Sequence, residues 1–267
     1  MGHNKENRMP LWVKPRAKVS PKQLMDCMRD HYEGTKMDMT TDIGAGAEAC
    51  PYRWRPMFFE VDGVEYCNER ATATQQTGFW LVGQARPNKV GILWFGTDDA
   101  ATSPLTPIYV NSTEVPWCLS EENGSMLKYS DSSMFWITNR VAQFAYLRYN
   151  TVGKRVRSEV DKWENAMIEY VKDIDMAIAS KPKKAAKIAT EFSVKSAEIL
   201  FNYWVELDKY LMVKYIDGNV KGEDANGFID NGNGKDIPGK IEQPGYSERW
   251  KRAVAKDNGE VLKVVKW

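Results

Sequence analysis

Histidine is nearly missing from this chain: His3 and His31 are the only two among 267 residues. A metal centre would have to lean on carboxylates, and no H-E-x-x-H motif offers one. Cys27, Cys50, Cys67 and Cys118 stand far apart without a C-x-x-C pair, so neither a structural zinc site nor any other metal is expected. That cysteine usage leaves the redox compartment open. An excess of charge is absent too, with 37 basic against 36 acidic residues, which removes any general attraction to nucleic acid or to an anionic membrane. No run of about 18 apolar residues occurs, so no helical membrane span is expected. The opening Met1–Arg8 lacks the apolar stretch of a secretory signal, and Glu6 stands where a myristoylation motif needs a small hydroxyl residue.

What the chain does have is an irregular, chemically dense stretch from His31 to Arg55. Charged groups, glycines and aromatics alternate there with neither a helical nor a strand period, which predicts an ordered loop. Such a loop either carries function or is a packed connector whose Gly34, Gly44 and Gly46 supply turns. Just before it, Ser20 is placed to cap a short helix with Pro21 at its first position and Leu24, Met25 and Met28 on its apolar face, running to about Asp30. Cys27 falls among those apolar residues and is expected to be buried as a small hydrophobe. His31 stands at the helix end, where it serves either the loop or the helix C-terminus itself.

From Met57 the pattern changes to strands. Phe58–Val61 and Val64–Cys67 flank Asp62-Gly63, a strong hairpin signal, and a second pair follows at 78–84 and 90–96. The apolar runs of that second pair are nearly continuous, which predicts strands covered on both faces. The polar segment 67–77 between the pairs would, as a strand, project Asn68, Arg70, Thr72 and Thr74 from one face. Arg70 then belongs either to a pocket wall or to a salt bridge at a sheet edge. Asp98-Asp99 reads as a turn with solvated charges, and Pro107–Val110 as a short strand. Asn111-Ser112-Thr113 and Asn123-Gly124-Ser125 fit the glycosylation acceptor pattern, which has meaning only in a eukaryotic secretory pathway.

The last third is helical. Ser130 or Asp131 can cap a helix through Leu147, and two long periodic stretches, about 156–179 and 184–215, meet at Ser180-Lys181-Pro182 as an antiparallel pair. Their stripe of Trp163, Met167, Tyr170, Ile174 and Ile178 reads as core. After Gly218 the chain turns Gly-, Asn- and Asp-rich. Asp230–Asp236 fails as a calcium loop, because Gly232 and Gly234 occupy positions for oxygen ligands and Lys235 that of the required glycine. The segment reads as a flexible linker before a tail helix that docks through Trp250.

The order of motifs is recognisable. His31-Tyr32-Glu33-Gly34-Thr35, Asp38-Met39-Thr40, Gly44-Ala45-Gly46, Cys50-Pro51-Tyr52-Arg53, Asn68-Glu69-Arg70, Gln75-Gln76-Thr77-Gly78-Phe79 and Ile92–Gly96 resemble the cysteine dipeptidases of the dipeptidase D type, within the N-terminal-nucleophile hydrolases. The similarity continues into Pro244-Gly245-Tyr246. It implies an α+β fold of four layers, an αββα sandwich of stacked antiparallel sheets with outer helices, and hydrolysis of dipeptides by an N-terminal cysteine without metal or organic cofactor.

In that family the nucleophile stands far upstream of the His-Tyr-Glu-Gly-Thr motif, whereas 30 residues precede it here. None of the four cysteines matches it. The chain therefore resembles the C-terminal half, with an incomplete sandwich, and Ala47-Glu48-Ala49 and the short loop 86–89 depart from the family pattern. The expected organisation is 1–150 as sandwich part with the pocket loop 31–55, 151–218 as a helical hairpin, and 219–267 as linker and docking tail. Charge complementarity to a dipeptide assigns His31, Glu33, Asp38, Arg53 and Arg70 to substrate binding, with Arg70 and Asn68 in supporting catalytic roles and the nucleophile elsewhere. Expected partners are a small peptide and the missing half or another subunit. Four readings are open: part of a dipeptidase, an inactive peptide-binding relative or partner-dependent subunit, a thiol hydrolase in which His31 activates one of these cysteines, and a purely structural module. A signal on a longer form would place it outside the cytoplasm; otherwise it is cytoplasmic.

Overall fold

The computed structural model describes residues 10–265, so the Met1–Arg8 opening with His3 lies outside the described residues. Helix α1 (Pro21–Met28) starts as its sequence dictates: the Ser20 hydroxyl accepts from the Gln23 backbone N–H, and the Gln23 side chain accepts from the Ser20 N–H in return. Its one buried side chain is Met25; Cys27 is exposed, contrary to expectation, because it lies on the side of this two-turn helix that faces away from the core. The hairpin of β1 (Phe58–Val61) and β2 (Val64–Cys67) forms around Asp62-Gly63, both in the left-handed region that such a two-residue turn needs.

A three-stranded antiparallel sheet of β3 (Phe79–Gln84), β4 (Ile92–Thr97) and β5 (Thr106–Tyr109) organises the centre. Its register puts Val82 opposite Trp94 and Ile92 opposite Tyr109, and this inner face is buried. It packs on α3 (Lys154–Ser180) and α4 (Ala185–Tyr215), which form the long pair read from the sequence, while α2 (Met134–Leu147) lies against α4 and β4. Trp163 and Met167 enter the core, but Tyr170 is exposed. The cap of α2 is Ser133 rather than Ser130 or Asp131; Ser130 is taken up by a hydrogen bond to Asn123.

The fold is mixed α and β with antiparallel sheets. One strand expectation fails: the outer face of the sheet is open among the described residues, with Phe79 63% and Leu81 44% exposed and Phe95 stacked on Phe79. Segment 68–77 is loop rather than strand, because Tyr32 and Arg53 engage it through side-chain and backbone bonds that replace a ladder. The Gly-rich stretch is not a structureless linker. Lys221 pairs with Ile241 between β6 (Val220–Lys221) and β9 (Ile241–Glu242), and β7 (Glu223–Asp224) folds back on β8 (Gly227–Phe228). The tail helix α5 (Glu248–Asn258) has no buried residue, so Trp250 does not anchor it in the core.

An ion pair without solvent access ties these parts together. Arg29, at the end of α1, reaches Glu164 on α3 through two hydrogen bonds of 2.8 and 2.6 Å, and Glu164 also accepts from the Leu105 N–H at the entry to β5. Breaking a buried pair from one side strands the other charge, so Glu164→Gln is expected to lower unfolding stability by about 3–5 kcal/mol. Replacing both partners together, Arg29→Met with Glu164→Leu, should recover part of that loss. Urea unfolding of the three variants checks both.

Candidate active site

Loop 31–55 is ordered by its own side chains. Asp38 accepts from the Gly34 and Thr40 N–H groups and the Thr40 hydroxyl, and these bonds lower its pKa against the opposing effect of burial. Arg53 is buried and fully committed. It meets Asp42 through two contacts of 2.6 and 2.7 Å and donates to the carbonyls of Met39 and Cys50. Gly44 is required beside it, since a Cβ there would lie 2.7 Å from the Arg53 Nε. Both residues thus build the loop, and Arg53 also lines the groove beside it.

His31 is fully buried at the hinge between α1 and the loop. Its Nδ1 lies 3.1 Å from Glu33 Oε1, its backbone N–H donates to Glu33 Oε2 over 2.9 Å, and its Nε2 has no hydrogen-bond partner among the described residues. Burial resists the charge on Glu33, yet the His31 ring and N–H bonds outweigh it and hold the carboxyl at about 2. Glu33 is thereby a fixed anion at the rim, about half exposed.

Around His31 stands a group that sequence reading missed. Its ring meets Tyr52 and Tyr149 edge to face at 5.1 and 5.9 Å, and Tyr146 packs on Tyr52 at 4.5 Å. Tyr149 comes from a π-helical turn, Tyr149–Gly153, where a Cβ on residue 153 would lie 2.9 Å from its ring. The Tyr52 hydroxyl donates to Asp99, and burial followed by the Asp99 charge drives the hydroxyls of Tyr52, Tyr146 and Tyr149 far above their ordinary pKa.

Asp98 and Asp99 correct the solvated-turn reading, with exposures of 1% and 0%. Asp99 caps the following turn at Ala101 and Thr102, and Asp98 accepts from Asn139 Nδ2 at 3.0 Å, leaving Oδ2 without a partner. Burial, then the neighbouring Asp99, raises Asp98 to about 7, and burial raises Asp99 as well. Adjacent acidic residues in a turn read as surface from sequence because their tertiary donors, Tyr52 and Asn139, lie 47 and 41 positions away.

Beside the loop is a shallow groove lined by Met39, Met57, Arg55, Arg70, Glu69, Gln75 and Gln76. Arg70 is exposed, not buried in a strand, and among the described residues neither it nor Arg55 has a carboxylate within 4.0 Å. The Tyr32 hydroxyl donates to the Arg70 carbonyl at 3.2 Å, so Glu33 and Arg70 flank the same junction. Asn68 is half-buried, and its backbone N–H closes the hairpin onto the Met57 carbonyl.

No cysteine is hydrogen-bonded to His31 among the described residues. Cys27 and Cys67 are exposed and Cys118 is buried, its thiol pushed by burial to about 12, while burial also raises Cys50. With no thiol on the His31 ring, the self-contained thiol hydrolase loses its geometric basis. The carboxylates Asp26, Asp161 and Glu164 converge within 4.8 Å, but Lys22, Arg29 and Arg157 interleave with them and balance their charge.

Residues 2–162 match the model of peptidase family C69. The chain belongs to that family. No curated protein matches it. Family C69 membership supports a peptidase, and the matched span includes His31, Glu33, Arg70, Asp99 and Tyr149 and stops two residues before Glu164. No helix among the described residues is long and apolar enough to cross a membrane.

The buried acids set a pH dependence with a definite sign. Between about pH 4 and 7 the unfolded chain gives up the Asp98 proton while the folded protein keeps it, so stability falls as pH rises. Glu33 acts oppositely and lower, adding stability as pH rises from about 2 to 4.5. Asp98→Asn should reduce the upper decline by on the order of 1–4 kcal/mol between pH 5 and 8, leaving the part contributed by the raised Asp99. Urea midpoints across pH 4 to 8 for both proteins provide the check.

Proposed function

We propose that this chain forms the C-terminal part of a cysteine dipeptidase of family C69, and that the nucleophile stands on a segment outside the described residues. The observation that carries the reading is the open outer face of the central sheet, where Phe79, Leu81 and Phe95 offer an apolar surface such as a second stacked sheet covers. At roughly 25 cal/mol per Å², leaving several hundred Å² of such surface in water costs on the order of 10 kcal/mol. The environments of the four cysteines support the same reading, since none is hydrogen-bonded to His31 among the described residues.

In this reading an N-terminal cysteine sulfur attacks the scissile carbonyl carbon. Its own α-amino group takes the thiol proton and delivers it to the leaving amine; water then releases the acyl group. Hydrogen-bond donors hold the oxyanion. The chain's part is to grip the substrate's charged ends. Glu33, anionic throughout the working range, takes the peptide ammonium, and Arg70, with Arg55 beside it, takes the carboxylate. Arg53, which lines the same groove, Asp38 and His31 hold the loop in shape.

A second reading, an inactive peptide-binding relative or partner-dependent subunit, draws on the same cysteine environments. The native protein from its source cells separates the two by N-terminal sequencing, intact mass and dipeptide hydrolysis. A species that begins with cysteine and cleaves dipeptides supports the enzyme; a species without that cysteine and without cleavage supports the inactive relative. In the active species, Glu33→Gln or Arg70→Ala should raise KM for dipeptides by roughly 10- to 100-fold, the size of a lost charged hydrogen bond. Unchanged kcat/KM in both variants overturns the proposed grip.

A further inference from the structure

The Gly- and Asn-rich loop between β8 and β9 has no part in the peptidase reading, yet it carries reactive chemistry of its own. Five Asn-Gly pairs occur in the chain, starting at Asn123, Asn226, Asn231, Asn233 and Asn258. In such a pair the glycine amide nitrogen can attack the asparagine side-chain carbonyl, because no Cβ shields it. The fold treats the five differently. Asn123 donates to the Trp117 and Ser132 carbonyls and accepts from the Ser130 and Ser132 hydroxyls, while the Gly124 N–H donates to the Glu122 carbonyl. Asn258 donates to the Val254 carbonyl and the Gly259 N–H to that of Ala255, so both are tied to the last turn of α5. Gly227 is paired with Asp224 in the β7–β8 ladder.

Asn231 and Asn233 share one exposed loop and differ in the bond made by the next glycine. Asn231 Oδ1 accepts from the Asn233 N–H and Asn233 Oδ1 from the Lys235 N–H, each at 3.0 Å, so each side-chain carbonyl lies folded over the following peptide and is polarised by a donor. A Cβ at Gly232 or Gly234 would meet nothing within 4 Å, which leaves the approach open at both. The Gly232 N–H, however, donates to Asp230 Oδ1 over 2.6 Å, and the carboxylate holds that proton in place. The Gly234 N–H has no hydrogen-bond partner among the described residues. We infer that Asn233 is a site of spontaneous deamidation. The Gly234 nitrogen gives its proton to hydroxide and bonds to Asn233 Cγ; the Cγ–Nδ2 bond breaks and ammonia leaves; water then opens the cyclic imide to aspartate or isoaspartate. The net change is amide and water to acid and ammonia, with nothing oxidised, and it cancels the chain's formal net charge of +1. Isoaspartate also lengthens the backbone of a loop closed by the Asn231 N–H on the Ile237 carbonyl at 2.9 Å.

Peptide mapping by mass spectrometry tests this on the native protein from its source cells, held in mildly alkaline buffer beside a sample unfolded in urea. In the folded protein Asn233 is expected to convert about tenfold or more faster than Asn231, the rate equivalent of one hydrogen bond to a charged group, with Asn123 and Asn258 intact. Unfolding should narrow the gap between Asn231 and Asn233. Asp230→Ala, which frees the Gly232 N–H, should bring Asn231 towards the rate of Asn233 in the folded protein. An unmodified Asn233, an Asn231 that converts as fast, a ratio unchanged by urea, or an Asn231 no faster in Asp230→Ala overturns the inference. None of these outcomes bears on peptide hydrolysis, so the peptidase reading stands or falls separately.

Discussion

The Arg29–Glu164 pair is the constraint on which the rest of the site depends. Arg29 lies two residues before His31, and its Nε donates to the Ala100 carbonyl, next to Asp99. One guanidinium therefore fixes the end of α1, the start of the functional loop and the acidic turn after β4 against a single carboxylate on α3. Its plane also lies over the Trp80 ring at 5.0 Å, so its apolar surroundings are aromatic. A buried ion pair gives modest net stability but strong geometric specification, because any displacement leaves two charges without partners.

From that anchor the site is assembled by contact. Asp99 holds Tyr52, Tyr52 and Tyr149 hold the His31 ring, and His31 holds Glu33 as an anion at the surface. The Asn150 N–H donates to the Glu48 carbonyl over 3.0 Å, so the π-helical turn is tied to the far side of the same loop. Side-chain hydrogen bonds, ring contacts and backbone bonds between segments thus hold polar chemistry in place at a protein surface. The arrangement also concentrates cost: adjacent buried carboxylates at 98 and 99 are tolerated because one of them retains its proton.

Two surfaces remain open next to this rigid body, the outer sheet face and the arginine groove. They differ in kind. The sheet face offers only apolar area and fits a packing partner, whereas the groove is lined by two guanidinium groups, Arg55 and Arg70, with no carboxylate within 4.0 Å among the described residues. In the proposed reading the first is covered by a second sheet and the second orients the peptide.

Local elements were legible in the residues. The Ser20 cap, the Asp62-Gly63 hairpin, the strands at 79–84 and 92–97 and the helical pair arise from caps, turn chemistry and periodicity, which act over a few positions. The loop 31–55 was legible as a candidate site because its chemistry has no structural period, and the motif resemblance named the family that residues 2–162 match. What the sequence could not decide was which charges face water. Arg53 and Arg70 look alike in sequence, yet Asp42, only 11 positions away, consumes one and nothing consumes the other. Asp98-Asp99 looks like surface until Tyr52 and Asn139 arrive from distant segments, and Glu164 looks like one more acid on a helix until Arg29 reaches it across 135 positions. The sequence by itself determined the elements and the family; only the tertiary structure decided the role of each charge, because the electrostatic partner of a side chain is chosen by folding rather than by chain neighbourhood.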